Sequence, residues 1–184
     1  MEEDKRLLRL LRDLSYEEGD FLLASGKRST FYIDCKETTL NPEGMYIVGH
    51  LMLQRVMKMP GVEAVGGVSI GGDPLVCSTV IASYVLRDPI AGFLIRKEPK
   101  GHGKNRWIEG GKNLRSGMKV AILEDVVTTG GSSLKAIEVT EKEGLKVVGV
   151  IALLDRLEGG RQAIEGKGYR FETLFTLDDL RKME

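Results

Sequence analysis

Cysteine is scarce in this chain. Cys35 and Cys77 are its only two, and they lie far apart with no C-x-x-C spacing. That pattern argues against a disulfide framework and a structural zinc, and fits a reducing compartment. Net charge is also missing: 27 Lys and Arg balance 27 Asp and Glu. A global polyanion-binding surface is therefore not expected, and neither is a nucleic-acid partner. No apolar run approaches the ~20 residues of a membrane-spanning helix. The opening Met1-Glu2-Glu3-Asp4-Lys5 is charged where a secretory signal would be apolar, so the expected location is cytoplasmic, away from membranes.

The remainder suits one domain over 1–184, with 42% hydrophobic residues to build a core. Leu7, Leu8, Leu10, Leu11 and Leu14 mark an amphipathic first helix. Phe21, Leu23, Phe31 and Ile33 flank the polar Ser25-Gly26-Lys27-Arg28-Ser29, which predicts two short strands within 20–36. Asn41-Pro42 starts a second helix, and Asp73-Pro74 is expected to cap a third over 74–86. Strands are predicted at 62–68, 91–95, 119–124, 146–154 and 169–175, with helices at 132–143 and 159–166. Thr176 is expected to cap a last short helix. Alternating strands and helices give an α/β class with a doubly wound, mostly parallel sheet flanked by helices. Ligands of such sheets sit at the carboxyl ends of the strands. Residues 97–115 break the rhythm: glycine-rich, basic and without apolar period, they read as a functional loop.

The densest signal is Val120-Ala-Ile-Leu-Glu-Asp-Val-Val-Thr-Thr-Gly-Gly-Ser132. A buried strand runs into two carboxylates, Glu124 and Asp125. A loop of small, donor-rich residues then opens a helix. Carboxylates suit ribose hydroxyls, and loop amides at a helix start suit a phosphate. The string lacks the Gly-Lys-Ser/Thr of a P-loop and the G-x-G-x-x-G of a dinucleotide site.

This string resembles the phosphoribosyl-pyrophosphate (PRPP) signature of the type I phosphoribosyltransferases. The resemblance implies that Glu124 and Asp125 bind the ribose hydroxyls. It implies that Val126, Val127, Thr128, Thr129, Gly130, Gly131 and Ser132 form the 5-phosphate loop. A second string, Arg96-Lys97-Glu98-Pro99-Lys100-Gly101-His102-Gly103, resembles the catalytic loop of the orotate phosphoribosyltransferases. By that resemblance Arg96, Lys97, Lys100 and His102 grip the pyrophosphate, and Lys100, His102 and Asp125 are the catalytic candidates. Lys100 or His102 is the proton donor to the leaving group. The same family places this loop, 97–115, in the active site of a neighbouring subunit, which implies a homodimer with shared sites.

Three further strings extend the resemblance. Leu153-Leu154-Asp155-Arg156 puts Arg156 where the family contacts orotate, with Thr128 beside it. Residues 1–40 correspond to an N-terminal helix and hood. There Ala24 replaces a frequent Lys, for which Lys27 is the substitute, and Ile33 breaks an aromatic pair. Phe31 and Tyr32 are therefore either base-stacking or plain core residues. Val68-Ser69-Ile70-Gly71-Gly72-Asp73-Pro74 stands at the family's pyrophosphate loop without the Lys some members carry. The implied substrates are orotate and PRPP. The implied cofactor is Mg2+, held mainly by PRPP near Glu124 and Asp125 with no direct protein ligand. A purine phosphoribosyltransferase shares the 120–132 string, but 96–103 and Arg156 speak against it. A nucleotide-sensing regulator on the same fold fits poorly with an intact catalytic loop.

Overall fold

The computed structural model describes residues 2–22, 26, 28–99 and 107–183. Lys27, Lys100 and His102, together with Ala24, lie outside the described residues.

The chain opens with α1 (Glu2–Leu10), which passes into a π-helical turn over Leu11–Ser15. A hairpin follows, β1 (Tyr16–Leu22) against β2 (Arg28–Ile33), antiparallel and irregular between Glu18 and Phe21. The hairpin thus starts earlier than its apolar residues suggest. A four-residue helix not expected from the sequence, α2 (Lys36–Thr39), leads on to α3 (Pro42–Val56). Asn41 caps α3 by accepting the N–H groups of Glu43 and Gly44 at 3.0 and 3.2 Å. A buried Ser15–Thr38 hydroxyl contact of 2.7 Å ties the π-helical turn to α2.

The main sheet contains β3 (Ala64–Val68), β4 (Ala91–Ile95), β5 (Ile108–Glu109), β6 (Lys119–Val127), β7 (Lys146–Asp155) and β8 (Arg170–Thr176). Their order is β5-β4-β3-β6-β7-β8, parallel throughout except for the antiparallel edge pair β4–β5. The helices α4 (Gly72–Val85), α5 (Gly131–Lys142), α6 (Gly160–Glu165) and α7 (Leu177–Arg181) complete the fold. Two apolar cores lie on the two faces of the sheet. Ala121, Leu123, Ile151 and Leu153 pack toward α1, α3, α4 and α7, whereas Val120, Ile122, Val150 and Ala152 pack toward α5 and α6. The period-two alternation of strand side chains produces that division.

Four sequence expectations change. Val126 and Val127 belong to β6, paired with Leu154 and Asp155, so they are strand residues and not loop residues. Apolar β-branched side chains with a neighbouring strand to pair with continue the ladder past the carboxylates. Asp73 does not cap α4: the helix begins at Gly72 after Gly71, and Asp73 instead accepts the Ser69 hydroxyl at 2.8 Å. The 97–115 segment is not irregular throughout, because Ile108–Glu109 pairs with β4 and buries Ile108. The strand expected at 62–68 begins at Ala64. Thr176 caps α7 as expected, in a reciprocal box with Asp179.

Candidate active site

β3, β4, β6 and β7 end along one edge of the sheet and carry the candidate residues there. Glu124 and Asp125 stand near the end of β6. Adjacent strand residues point to opposite faces, and these two do so. Glu124 is 4% exposed and accepts the Ser133 hydroxyl of α5 at 3.0 Å. Burial, then the neighbouring Asp125 charge, pushes the Glu124 carboxyl up to about 7, against the Ser133 and Ser132 hydroxyls.

Asp125 faces the other side, toward α2 and the loop before α4. A Cβ on Gly71 would fall 2.2 Å from its Oδ2, so position 71 must be glycine for the carboxylate to lie there. Burial raises the Asp125 carboxyl, opposed by the Val126 N–H and the Lys36 charge. Lys36 bonds Asp34 at 2.6 Å, and that bond, with the Asp125 charge adding to it, raises its ammonium. Beneath them Cys35 is fully buried, its thiol pushed up by burial and then by Asp125. Lys36 was missed in the sequence because only the fold brings it to β6.

Of the residues expected to form the 5-phosphate loop, only Thr128, Thr129 and Gly130 lie between β6 and α5. Gly130 adopts φ 80° just before α5, while Gly131 and Ser132 form the first turn of that helix. The amides of this helix start, with the exposed Thr129 and Ser132, are donors of the kind that suit an anion. The loop is backed by the turn after β7: a Cβ on Gly160 would meet the Thr128 carbonyl oxygen at 2.6 Å.

Arg156 follows β7, and its N–H donates to the Val127 carbonyl at 2.9 Å. Its side chain, 12% exposed, pairs with Glu158 at 2.7 Å and lies 4.7 Å over the Phe31 ring. Arg156 Nε is buried without a hydrogen-bond partner among the described residues. Phe31 is buried against Tyr16, with Arg181 4.9 Å from its ring, whereas Tyr32 is exposed. Phe31 is thus a core residue supporting Arg156. Arg181 was missed because its helix closes on the hood from the far end of the chain.

Arg96 and Lys97 leave β4 into a cleft of about 280 Å³, shared with Val68, Trp107, Ser132 and Lys135. Arg96 also bonds Glu109 at 2.9 Å. Lys135 sits 5.5 Å from the Trp107 ring. It lies three residues after Ser132, a spacing that shares a helix face and was the signal available in the sequence. A larger cavity of about 550 Å³ is lined by Lys112 and Arg115 from the end of the 97–115 segment, with Ser116 and Glu143, and contains none of Arg96, Lys97, Glu124, Asp125 and Arg156. No group of three His, Cys, Asp or Glu able to hold a metal occurs among the described residues. No helix among them is long and apolar enough to cross a membrane.

Residues 67–167 match the phosphoribosyl transferase domain, a span that includes Gly71, Glu124, Asp125, Thr128 to Ser132 and Arg156. The fold and site therefore define a phosphoribosyltransferase. Over 96% of its length the chain is 48% identical to the orotate phosphoribosyltransferase of Sorangium cellulosum, covering 92% of that protein. It is 44% identical to the orotate phosphoribosyltransferase of Aquifex aeolicus over 98% of both chains. The solved Mycobacterium tuberculosis orotate phosphoribosyltransferase superposes with a TM-score of 0.84 at 34% identity, over 97% of this chain and 98% of that one. The chain belongs to the orotate phosphoribosyltransferases, glycosyl-transferring enzymes of pyrimidine biosynthesis.

Proposed function

We propose that the carboxyl edge of the sheet binds PRPP and orotate together. It transfers the 5-phosphoribosyl group to orotate, giving orotidine 5′-phosphate and pyrophosphate. The observation that carries this reading is that Arg156, whose Nε donor has no partner among the described residues, is bonded through its backbone to Val127, two residues beyond Asp125. A planar, anionic, carbonyl-rich base beside a ribose site suits that guanidinium.

Glu124 and Asp125 take the ribose, one from each face. Thr128, Thr129, Gly130 and the first turn of α5 take the 5-phosphate. A ring-nitrogen anion of orotate forms the new bond to C1 of the ribose while the C1–oxygen bond to pyrophosphate breaks. Positive charge grows on the ribose and is met by the carboxylates; negative charge grows on the pyrophosphate and is met by Arg96, Lys97, Lys100 and His102. Lys100 or His102 donates the proton the leaving group takes up. Glu124 and Asp125 offer hard oxygen donors, which fit Mg2+ carried by PRPP beside them. Mg2+ bound there would supply positive charge for the departing pyrophosphate, with Glu124 and Asp125 as the nearest carboxylates.

The active unit is a homodimer with shared sites. Supporting this, α4 exposes Ile81, Tyr84 and Val85 in a stripe continued by Cys77. Such a patch on a chain of balanced charge suits a second copy. Mixing Lys100→Ala with Asp125→Asn protein tests it. Recovery of activity on mixing supports shared sites, and two permanently dead populations would refute them.

A further inference from the structure

Asp155 ends β7 and is 1% exposed. Its Oδ1 accepts the backbone N–H of Leu157 at 2.9 Å. Its Oδ2 is buried with no partner among the described residues. Leu157 has φ 61°, a left-handed conformation that a bulky side chain rarely adopts. The buried carboxylate and the strained leucine enclose Arg156. On one side the Arg156 N–H is held by the Val127 carbonyl; on the other the next N–H is held by Asp155. The same turn then brings Gly160 against the Thr128 carbonyl.

A buried carboxylate with one empty oxygen is costly, and so is a left-handed leucine. Both occur in one turn, and that turn connects two substrate subsites. Arg156 is the residue whose direction they determine. We propose that Asp155 is the positioning residue of the base subsite: it holds Leu157 left-handed, thereby aiming Arg156 at orotate and seating Gly160 against the phosphate loop. The proposal rests on the placement of Arg156 in that subsite. Asp155 itself touches no substrate and acts through the backbone of Leu157.

Glycine takes the left-handed conformation without an anchor. The test therefore compares Asp155→Ala, Asp155→Asn and the double variant Asp155→Ala/Leu157→Gly. Melting curves and separate KM values for orotate and PRPP are measured for each. Asp155→Ala should raise the orotate KM about tenfold to a hundredfold, the scale of losing an outer partner of a binding group. The PRPP KM should rise less. Asp155→Asn keeps an oxygen for the Leu157 N–H and should stay near the parent. The double variant should bring the orotate KM back toward the parent value, which a merely structural role would not do. An unchanged orotate KM in Asp155→Ala, or no return in the double variant, would overturn the proposal. Should Asp155→Ala fail to fold, Asp155→Leu with and without Leu157→Gly carries the same comparison. Arg156→Ala is run alongside: an unchanged orotate KM there would overturn the base-subsite reading itself, a distinguishable failure.

Discussion

Glu124 and Asp125 are adjacent in sequence but lie on opposite faces of β6, one bonded to Ser133 of α5 and the other against Gly71 before α4. In the proposed ribose site, one carboxylate therefore stands on each side of the sheet. Burial raises both carboxyls, that of Glu124 up to about 7 with the Asp125 charge adding to it.

The raised Glu124 carboxyl predicts a pH dependence. The folded carboxyl of Glu124 titrates near 7 against an ordinary value of 4.5. Between those values the folded state holds more protons than the unfolded one, so this group's effect on stability becomes less favourable as pH rises. Ribose binding requires the ionised form and should strengthen with rising pH through about 7. Glu124→Gln should flatten both trends, as read by melting temperature and PRPP affinity from pH 5.5 to 8.5.

Asp125→Asn keeps the shape and removes the charge. The kcat of the variant should fall about a hundredfold, the scale of losing one preorganised electrostatic partner. Circular dichroism should show the fold intact. Normal turnover would remove this carboxylate from the chemistry.

Gly71→Ala places a methyl group where the Asp125 carboxylate lies. Either the carboxylate or the loop before α4 must move. The expected result is a weakened PRPP KM with the orotate KM little changed, measured by steady-state kinetics.

Trp107 is the sole tryptophan and lines the cleft with Arg96, Lys97, Ser132 and Lys135. Pyrophosphate or PRPP should change its emission, and Lys135→Ala should reduce the change by removing the cation beside the ring. An emission unaffected by saturating PRPP would place Trp107 away from the anion.

Period and punctuation made the sheet and its helices legible, because a buried parallel strand is a short apolar run between turn residues. An acidic pair at the end of such a run is common; the longer string through Thr128-Thr129-Gly130-Gly131-Ser132 is what singles out Glu124 and Asp125. Val126 and Val127 were assigned to the loop because the pairing that keeps them in β6 comes from Leu154 and Asp155, almost thirty residues later. Lys36, Arg181 and Lys135 were missed because their proximity to Asp125, Phe31 and Trp107 is a product of tertiary packing. The short strand at Ile108 went unseen because two residues carry no readable period. Phe31 was left between two roles by its sequence, and burial beneath Arg156 made it core.

The central claim is transfer of phosphoribose to orotate at the end of β6. The most direct measurement incubates the enzyme with PRPP and Mg2+ and supplies orotate, adenine, hypoxanthine or uracil in separate reactions, following pyrophosphate release. The account predicts release with orotate alone, abolished by Asp125→Asn. Release with a purine, or none with orotate, would contradict it.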